Sequence, residues 1–343
     1  MKRRSWIVCL AILSLNAQCD KSKVNNPKPG DFAKGADVGW LTQMESAGIK
    51  FYNSSGTEQD CMQILKDKGI NAIRIRAWVN PADGWNNTAD VVVKSVRAKN
   101  LGMKIMIDFH YSDSWADPGK QFKPAAWTNL SFNDLKTALA VYTAGVMDTL
   151  KLNNITPDWV QIGNETNDGM LWEDGRASAD MANFAALVKS GYSAVKSVSN
   201  TSLVIVHISN GYDNGLFRWM FDGLKQNDVS YDIIGMSLYP SYASSGVSGW
   251  SATNNQCLSN MNDMVSRYGK PVMVVEVGMP ENDPAMSKAF LSDIISKTKS
   301  VTGGQGLGVF YWEPECYNSW QGYHLGAFDA TGKPSIAMDA FLE

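Results

Sequence analysis

Asp158-Trp159-Val160-Gln161-Ile162-Gly163-Asn164-Glu165-Thr166 reads as a short buried strand that ends in a glycine and runs at once into an amide and a carboxylate. An Asn-Glu pair at the tip of a buried strand is costly unless something polar uses it. A helix N-cap is the plainer alternative, since Asn caps well and Glu suits a first helical turn. A second run weighs against that alternative. In Lys270-Pro271-Val272-Met273-Val274-Val275-Glu276-Val277-Gly278, another apolar strand carries a single carboxylate near its end. Two strand-end glutamates far apart in sequence point to one shared site.

Working outward from these runs, strand and helix signals alternate eight times from residue 31. Strands are expected at 33–40, 71–78, 104–110, 159–162, 203–208, 233–238, 272–277 and 307–312. Helices are expected at 58–68, 89–99, 132–152 and 177–198, and near 215–225, 256–268 and 285–298. Short apolar strands separated by helices imply parallel pairing through crossover connections. Eight such units in about 310 residues fit a single (β/α)8 barrel, the TIM-barrel fold, better than an open sheet. No Gly-, Pro- or Ser-rich linker divides residues 31–343, which read as one domain.

Barrel topology gives the polar residues a meaning, because catalytic groups of this fold sit where strands end and βα loops gather. The expected strands finish in Asp37, Arg76 with Trp78, Asp108 with His110, Asn164 with Glu165, His207, Tyr239, Glu276, and Trp312 with Glu313. One such histidine alone would read as a structural residue. Eight ends converging on one face are harder to dismiss. Two carboxylates flanking a glycosidic bond can divide the roles of acid and nucleophile. The acid keeps its proton through desolvation or a nearby negative charge, while a cation such as Arg76 would hold the nucleophile ionised. Glu165, beginning a loop after strand four, is the natural acid/base. Glu276, within strand seven on the opposite side of the barrel, is the natural nucleophile. Carboxyls about 5 Å apart would give retention of anomeric configuration.

Composition narrows the partners. The chain has 343 residues, 44% hydrophobic and 19% charged, so a sizeable core is available. The net charge is −3 and no basic run follows the first few residues, which argues against nucleic acid. Twelve Trp and twelve Tyr are many for this length. Trp85, Trp115, Trp172, Trp250 and Trp320 fall in polar, loop-like surroundings, and flat amphipathic rings of this kind stack on sugar faces.

The N-terminus reads as a targeting segment. Lys2, Arg3 and Arg4 precede an apolar stretch at 6–15, too short to span a membrane, and small and polar residues lead to Cys19. Residues 1–18 thus read as a signal peptide of lipoprotein type, with Cys19 lipidated and 19–30 a flexible tether. Leu15 lies one place too far upstream for a regular lipobox, so ordinary secretory cleavage is the alternative. Either way the protein is expected to be exported, to the cell surface or periplasm if anchored, and to touch membrane only through its lipid. Cys61, Cys257 and Cys316 then remain, which is no disulfide framework, though a Cys257–Cys316 bridge on the catalytic face stays open.

At this point the sequence resembles a known family, glycoside hydrolase family 53, the endo-β-1,4-galactanases. The resemblance spans residues 33 to 338. It rests on GADVGWL, KFYNSSG, AIRIRAWVNP, KIMIDFHYSDSWADPGKQ, QIGNETNDGMLW, MSLYP, VVEVG and VFYWEP. The run from Asp108 to Gln121 is the most specific. The Asn-Glu and Glu pair is shared across a wider clan of retaining enzymes and supports mechanism more than substrate. The resemblance implies Glu165 as acid/base and Glu276 as nucleophile. It also implies Asn164 on the sugar 2-hydroxyl, Trp312 supporting the sugar at the cleaved position, and Arg76, His110 and Tyr239 orienting the nucleophile and lining the site. Asp37, His207 and Trp115 complete the expected substrate-binding set, with Trp115 placed farther from the barrel axis than Trp312.

Bacterial members often carry an acidic, His-containing calcium loop after strand seven. Residues 278–288 offer Glu281, Asn282 and Asp283 but no comparable run of ligands, so no cofactor is expected to be required, and structural calcium stays open without being expected. The expected partner is β-1,4-galactan, such as pectic side chains, acted on by a monomer. A related clan enzyme on another β-linked glucan or mannan, and a weakly catalytic glycan-capture protein, are the alternatives. The first is disfavoured by the Asp108–Gln121 run, the second by the two strand-end glutamates.

Overall fold

The computed structural model describes residues 32–343; the expected leader, Cys19 and tether lie outside the described residues. Eight strands close into a parallel barrel in sequence order: β1 (Ala33–Asp37), β2 (Ala72–Ala77), β3 (Lys104–Phe109), β4 (Trp159–Ile162), β5 (Leu203–Ile208), β6 (Ile233–Leu238), β7 (Val272–Val277) and β8 (Gly306–Tyr311). The (β/α)8 expectation is correct. Closure is made by β1 against β8, with Ala33 opposite Gly308 and Ala36 opposite Tyr311.

Helices alternate with the strands: α1 (Leu41–Ser46), α2 (Cys61–Asp67), α3 (Thr88–Asn100), α4 (Phe132–Leu152), α5 (Met181–Val198), α6 (Asn214–Gln226), α7 (Trp250–Tyr268) and α8 (Pro284–Lys299). Capping fixes most of their starts. The side chains of Asp60, Asn87, Ser131, Asp180, Asp213 and Asp283 each accept a backbone N–H from the first turn of α2, α3, α4, α5, α6 and α8 in that order. Asp283, one of the three acidic-loop residues weighed for calcium, is thereby occupied in capping α8. Glu281 faces His324 at 3.3 Å. Among the described residues no group of three or more His, Cys, Asp or Glu is arranged to hold a metal ion.

One difference from the sequence reading has a simple cause. α7 starts at Trp250, not near 256, so Trp250 and Cys257 are helical and Trp250 packs on Phe290. The polar run Ser251 to Gln256 hides this first turn and a half, because it lacks apolar periodicity. Cys61, Cys257 and Cys316 are all free and buried, so Cys257 and Cys316 are not bridged.

Strand alternation divides the core. Side chains on the outer face of the barrel pack under the helices. A smaller cluster, Ala33, Ala72, Met106, Trp159, Ile205, Ile233, Met273, Val275 and Phe310, fills the barrel interior at the N-terminal end of the strands. Phe310 requires Gly35 beside it, since a Cβ there would lie 2.0 Å from the ring. Further along β1 to β6 the inward residues turn polar: Asp37, Arg74, Arg76, Asp108, Gln161, His207 and Ser237. The apolar plug thus forms the floor of a charged mouth.

Candidate active site

Register places the charged residues before any side-chain contact is considered. Asp37 pairs laterally with Arg74, Arg76 with Asp108, Asp108 with Gln161, and Ser237 with Glu276. Glu276 needs an irregularity to arrive there. Met273 and Val275 face the barrel interior, so strict alternation would turn Glu276 outward. Between the Met236–Val274 and Ser237–Glu276 pairs the register shifts by one residue on β7, a bulge that turns Glu276 inward.

At the end of β4 the chain reverses through left-handed backbone. Gly163 has φ of 81°, where a Cβ would also meet Thr166 at 2.5 Å, and Glu165 has φ of 46° despite its side chain. Thr166 pins this turn by donating both its backbone N–H and its hydroxyl to the His207 carbonyl, each at 2.9 Å. Such a backbone conformation in a non-glycine residue persists only where its surroundings over-determine it.

Arg74 organises the centre. Its Nη1 lies 2.7 Å from Asp37 and 2.8 Å from Glu276. Its Nη2 lies 2.8 Å from Asp108 and donates to Asn164 Oδ1 at 2.9 Å. Burial works against the Arg74 charge, but Asp108, Glu276 and Asp37 outweigh it and hold the guanidinium protonated. The cation expected beside Glu276 is therefore Arg74, not Arg76. Asp37 is fully buried under this network, reaching no open space in which to bind a sugar.

Arg76 does different work. It pairs with Glu313, and its guanidinium lies 5.1, 5.4 and 4.4 Å from the ring centroids of Trp40, Trp78 and Trp115. Its Nε and Nη2 have no conventional acceptor, and the indole faces take their place. Gly39 makes room for this arrangement, because a Cβ there would stand 2.1 Å from Arg76 Nη1. Above the arginine, Trp115 lies 5.3 Å from Trp40 and 5.8 Å from Trp312, and Trp312 lies 4.7 Å from Tyr323. Trp115 is thus not remote from Trp312: the two belong to one aromatic wall.

Both inward histidines are fully engaged by protein. His110 Nδ1 accepts from Trp78 Nε1 at 3.2 Å and from the Ala116 N–H at 3.1 Å, so its proton sits on Nε2, facing Asp108 at 3.0 Å. His207 is 0% exposed. Burial lowers the proton affinity of both rings, keeping them neutral. His110 and His207 therefore support their neighbours, with no ring nitrogen left for substrate. Asn164 is held by protein almost as fully, its Nδ2 donating to the Ala116 carbonyl at 2.8 Å.

The two glutamates are in contrasting company. Glu276 receives Arg74 on one oxygen and the Tyr239 hydroxyl on the other, at 3.1 Å. Burial pushes its proton affinity up, to about 7, with Arg74 pulling against that rise. Among the described residues no Lys or Arg forms an ion pair with Glu165. Burial, followed by the charge of Glu276, pushes it to about 8. Arg74 and Tyr239 thus favour the charged form of Glu276, while the charge of Glu276 opposes ionisation of Glu165.

Sequence reasoning missed Arg74, Gln161, Ser237 and the stabilising role of Asp108. For Arg74 the signal was present. In Ala-Ile-Arg-Ile-Arg-Ala both arginines share the inward parity, and only the three-dimensional register says which one reaches β7.

A closed (β/α)8 barrel that sets a buried and a half-buried carboxylate in contrasting company beside a wall of tryptophans has the form of a glycoside hydrolase. The chain belongs to glycosyl hydrolase family 53, whose profile its residues 33–341 match. It is similar to a probable arabinogalactan endo-β-1,4-galactanase A of Aspergillus terreus, at 35% identity over 82% of this chain and 85% of the relative. It is likewise similar to an endo-β-1,4-galactanase of Bacillus subtilis, at 33% identity over 83% of this chain and 70% of the relative. Among solved structures, one from a study of two fungal β-1,4-galactanases superposes with a TM-score of 0.84 at 30% identity. That match covers 91% of this chain and 99% of the other. The chain is accordingly an enzyme, a glycoside hydrolase.

Proposed function

We propose that this enzyme is a retaining endo-β-1,4-galactanase that cuts β-1,4-galactan, including the arabinogalactan side chains of pectin. The observation that carries the mechanism is the division of environment between Glu276, paired with Arg74 and Tyr239, and Glu165, desolvated and facing the charge of Glu276. The substrate class is supported by the galactanase relatives of Aspergillus terreus and Bacillus subtilis. Glu276 attacks the anomeric carbon while Glu165 gives its proton to the departing glycosidic oxygen, leaving a glycosyl ester on Glu276. Glu165, now a carboxylate, takes a proton from water as that water breaks the ester, and both carboxyls return to their starting states. Asn164, at the mouth beside Glu165, is assigned to the sugar 2-hydroxyl, and Trp312 to the face of the sugar being cleaved. We further propose that the enzyme is exported, held to the membrane through lipid on Cys19, and active as a monomer without a cofactor.

The test is hydrolysis of galactan, mannan and carboxymethylcellulose by the purified protein, with product anomers followed by NMR. Galactan should be cleaved to β-configured oligosaccharides, and α-configured first products would overturn the retaining mechanism. Glu276→Gln should abolish turnover of every substrate. Glu165→Gln should spare the first step for aryl galactosides whose leaving group needs no proton. Equal loss on galactan and on an activated aryl galactoside for Glu165→Gln would remove its assignment as the acid.

A further inference from the structure

The aromatic wall takes up one side of the barrel mouth. Trp40, Trp78, Trp115 and Trp312 follow β1, β2, β3 and β8, which are consecutive strands of the closed ring. Glu165 and Glu276 stand at the two ends of the other half, after β4 and on β7, and Tyr242 follows β6 between them. None of the roles assigned above uses Tyr242. It is 73% exposed, yet it belongs to a fixed corner of the chain. Pro240 begins the 3-10 turn Pro240–Tyr242, and the Tyr242 N–H donates to the Tyr239 carbonyl at 3.0 Å. Tyr212, after β5, donates its hydroxyl to the Tyr242 carbonyl at 2.9 Å and ties the turn to the neighbouring loop. The Tyr242 ring meets the Tyr239 ring edge to face, with centroids 5.9 Å apart and planes at 74°. Tyr239 in turn donates to Glu276 at 3.1 Å. A single exposed ring on a surface needs no explanation. One that is held by its backbone, open to solvent and one side chain away from the carboxylate assigned as nucleophile offers a sugar a face to stack on.

We propose that Tyr242 is the stacking platform for a galactose unit on the leaving-group side of the scissile bond. The inference rests on the galactanase reading and on its placement of Trp312 against the sugar being cleaved. That sugar is the one transferred to Glu276, and it lies on the wall side of the carboxylate pair. A substrate chain threading between Glu165 and Glu276 then leaves the centre through the opposite half of the mouth, where β5 and β6 end. Tyr242 stands there. Its ring holds the departing part of the chain while Glu165 protonates the glycosidic oxygen, so it contributes only with substrates that have a sugar to lose.

The experiment compares kcat/KM on galactan with kcat/KM on β-galactobiosyl fluoride for the parent enzyme, Tyr242→Ala and Tyr242→Phe, with a melting curve for each. Fluoride departs without a ring, so the second substrate fills the wall side and leaves the Tyr242 side empty. In Tyr242→Ala the ratio of the galactan value to the fluoride value should fall about tenfold, the scale of one aromatic stacking contact. Tyr242→Phe keeps the ring and should keep the parent's ratio. An unchanged ratio in Tyr242→Ala overturns the inference, whether neither value moves or both fall together. The second of these would mean that Tyr242 merely props Tyr239 against Glu276. A ratio as low in Tyr242→Phe as in Tyr242→Ala also overturns it, since the hydroxyl and not the ring face would then be at work. If the parent enzyme leaves galactan uncut, the galactanase reading itself fails and the inference falls with it.

Discussion

Arg74 meets Asp37, Asp108 and Glu276 with one positive charge, and all four groups are buried. A lysine could supply the charge but not the planar fork that reaches Asp37 and Glu276 from one nitrogen and Asp108 and Asn164 from the other. Arg74→Lys should therefore lower kcat by about 100-fold or more, the scale for removing one preorganised electrostatic contact, and should also lower the melting temperature. Near-parent kcat in Arg74→Lys would show that charge alone suffices. The neighbouring carboxyl gives a second expectation. Glu165 has a folded-state proton affinity of about 8, against about 4.3 for an unfolded glutamate. The folded state thus binds this proton more tightly than the unfolded chain does. Its contribution to stability is complete below about pH 4.3 and is lost as pH rises through about 8. Glu165→Gln stays neutral throughout and escapes that loss. Its melting temperature relative to the parent should climb between pH 5 and pH 9, and a difference that stays flat over that range would refute the argument.

At the scale of the element, β7 and the aromatic wall show what could and could not be read from sequence. The boundaries of β4, β5, β6 and β7 and of the long helix α4 follow directly from apolar runs and their stop signals. Glu165 and Glu276, the pair proposed as acid and nucleophile, were visible as polar residues at the ends of apolar strands. What turns Glu276 inward was not, because the β7 bulge is a relation between two strands and leaves no mark on the local pattern. For the same reason Trp115 could be assigned to a loop but not to its neighbours. α1 was unreadable for a different cause: six residues, Leu41 to Ser46, bury only Leu41 and Met44, too few for a periodicity. Since Trp115 and Trp312 touch the same Trp40 ring, with Arg76 beneath Trp115 and Trp40, their roles cannot be separable. Trp115→Ala and Trp312→Ala should be non-additive in kcat/KM, with a coupling of about 0.5–3 kcal/mol typical of residues in contact. Additive losses would mean that the two rings serve separate sugars after all.

Seen as a whole molecule, the barrel is fastened by the segment that follows β8. The 3-10 segment Ile336–Leu342 packs its Phe341 side chain out of solvent, and Lys34 of β1 donates Nζ to the Phe341 carbonyl at 2.7 Å across 307 positions of chain. Gly69 approaches the same carbonyl so closely that a Cβ would lie 2.3 Å away. Phe341→Ala should destabilise the fold by about 3–5 kcal/mol, the usual cost of emptying a buried aromatic site, while leaving the shape of the pH profile unchanged. Denaturant midpoints and kcat/KM measured together would check this, and an unshifted midpoint would show the C-terminal segment to be dispensable. The pairing of β1 with β8 has a further consequence in time. On a ribosome β1 emerges well before its partner strand β8 and the Phe341 contact. Contacts so distant in sequence make closure slow and leave the sheet open-edged until β8 has been made. A polypeptide that cannot shut early is one that a translocation channel can still thread.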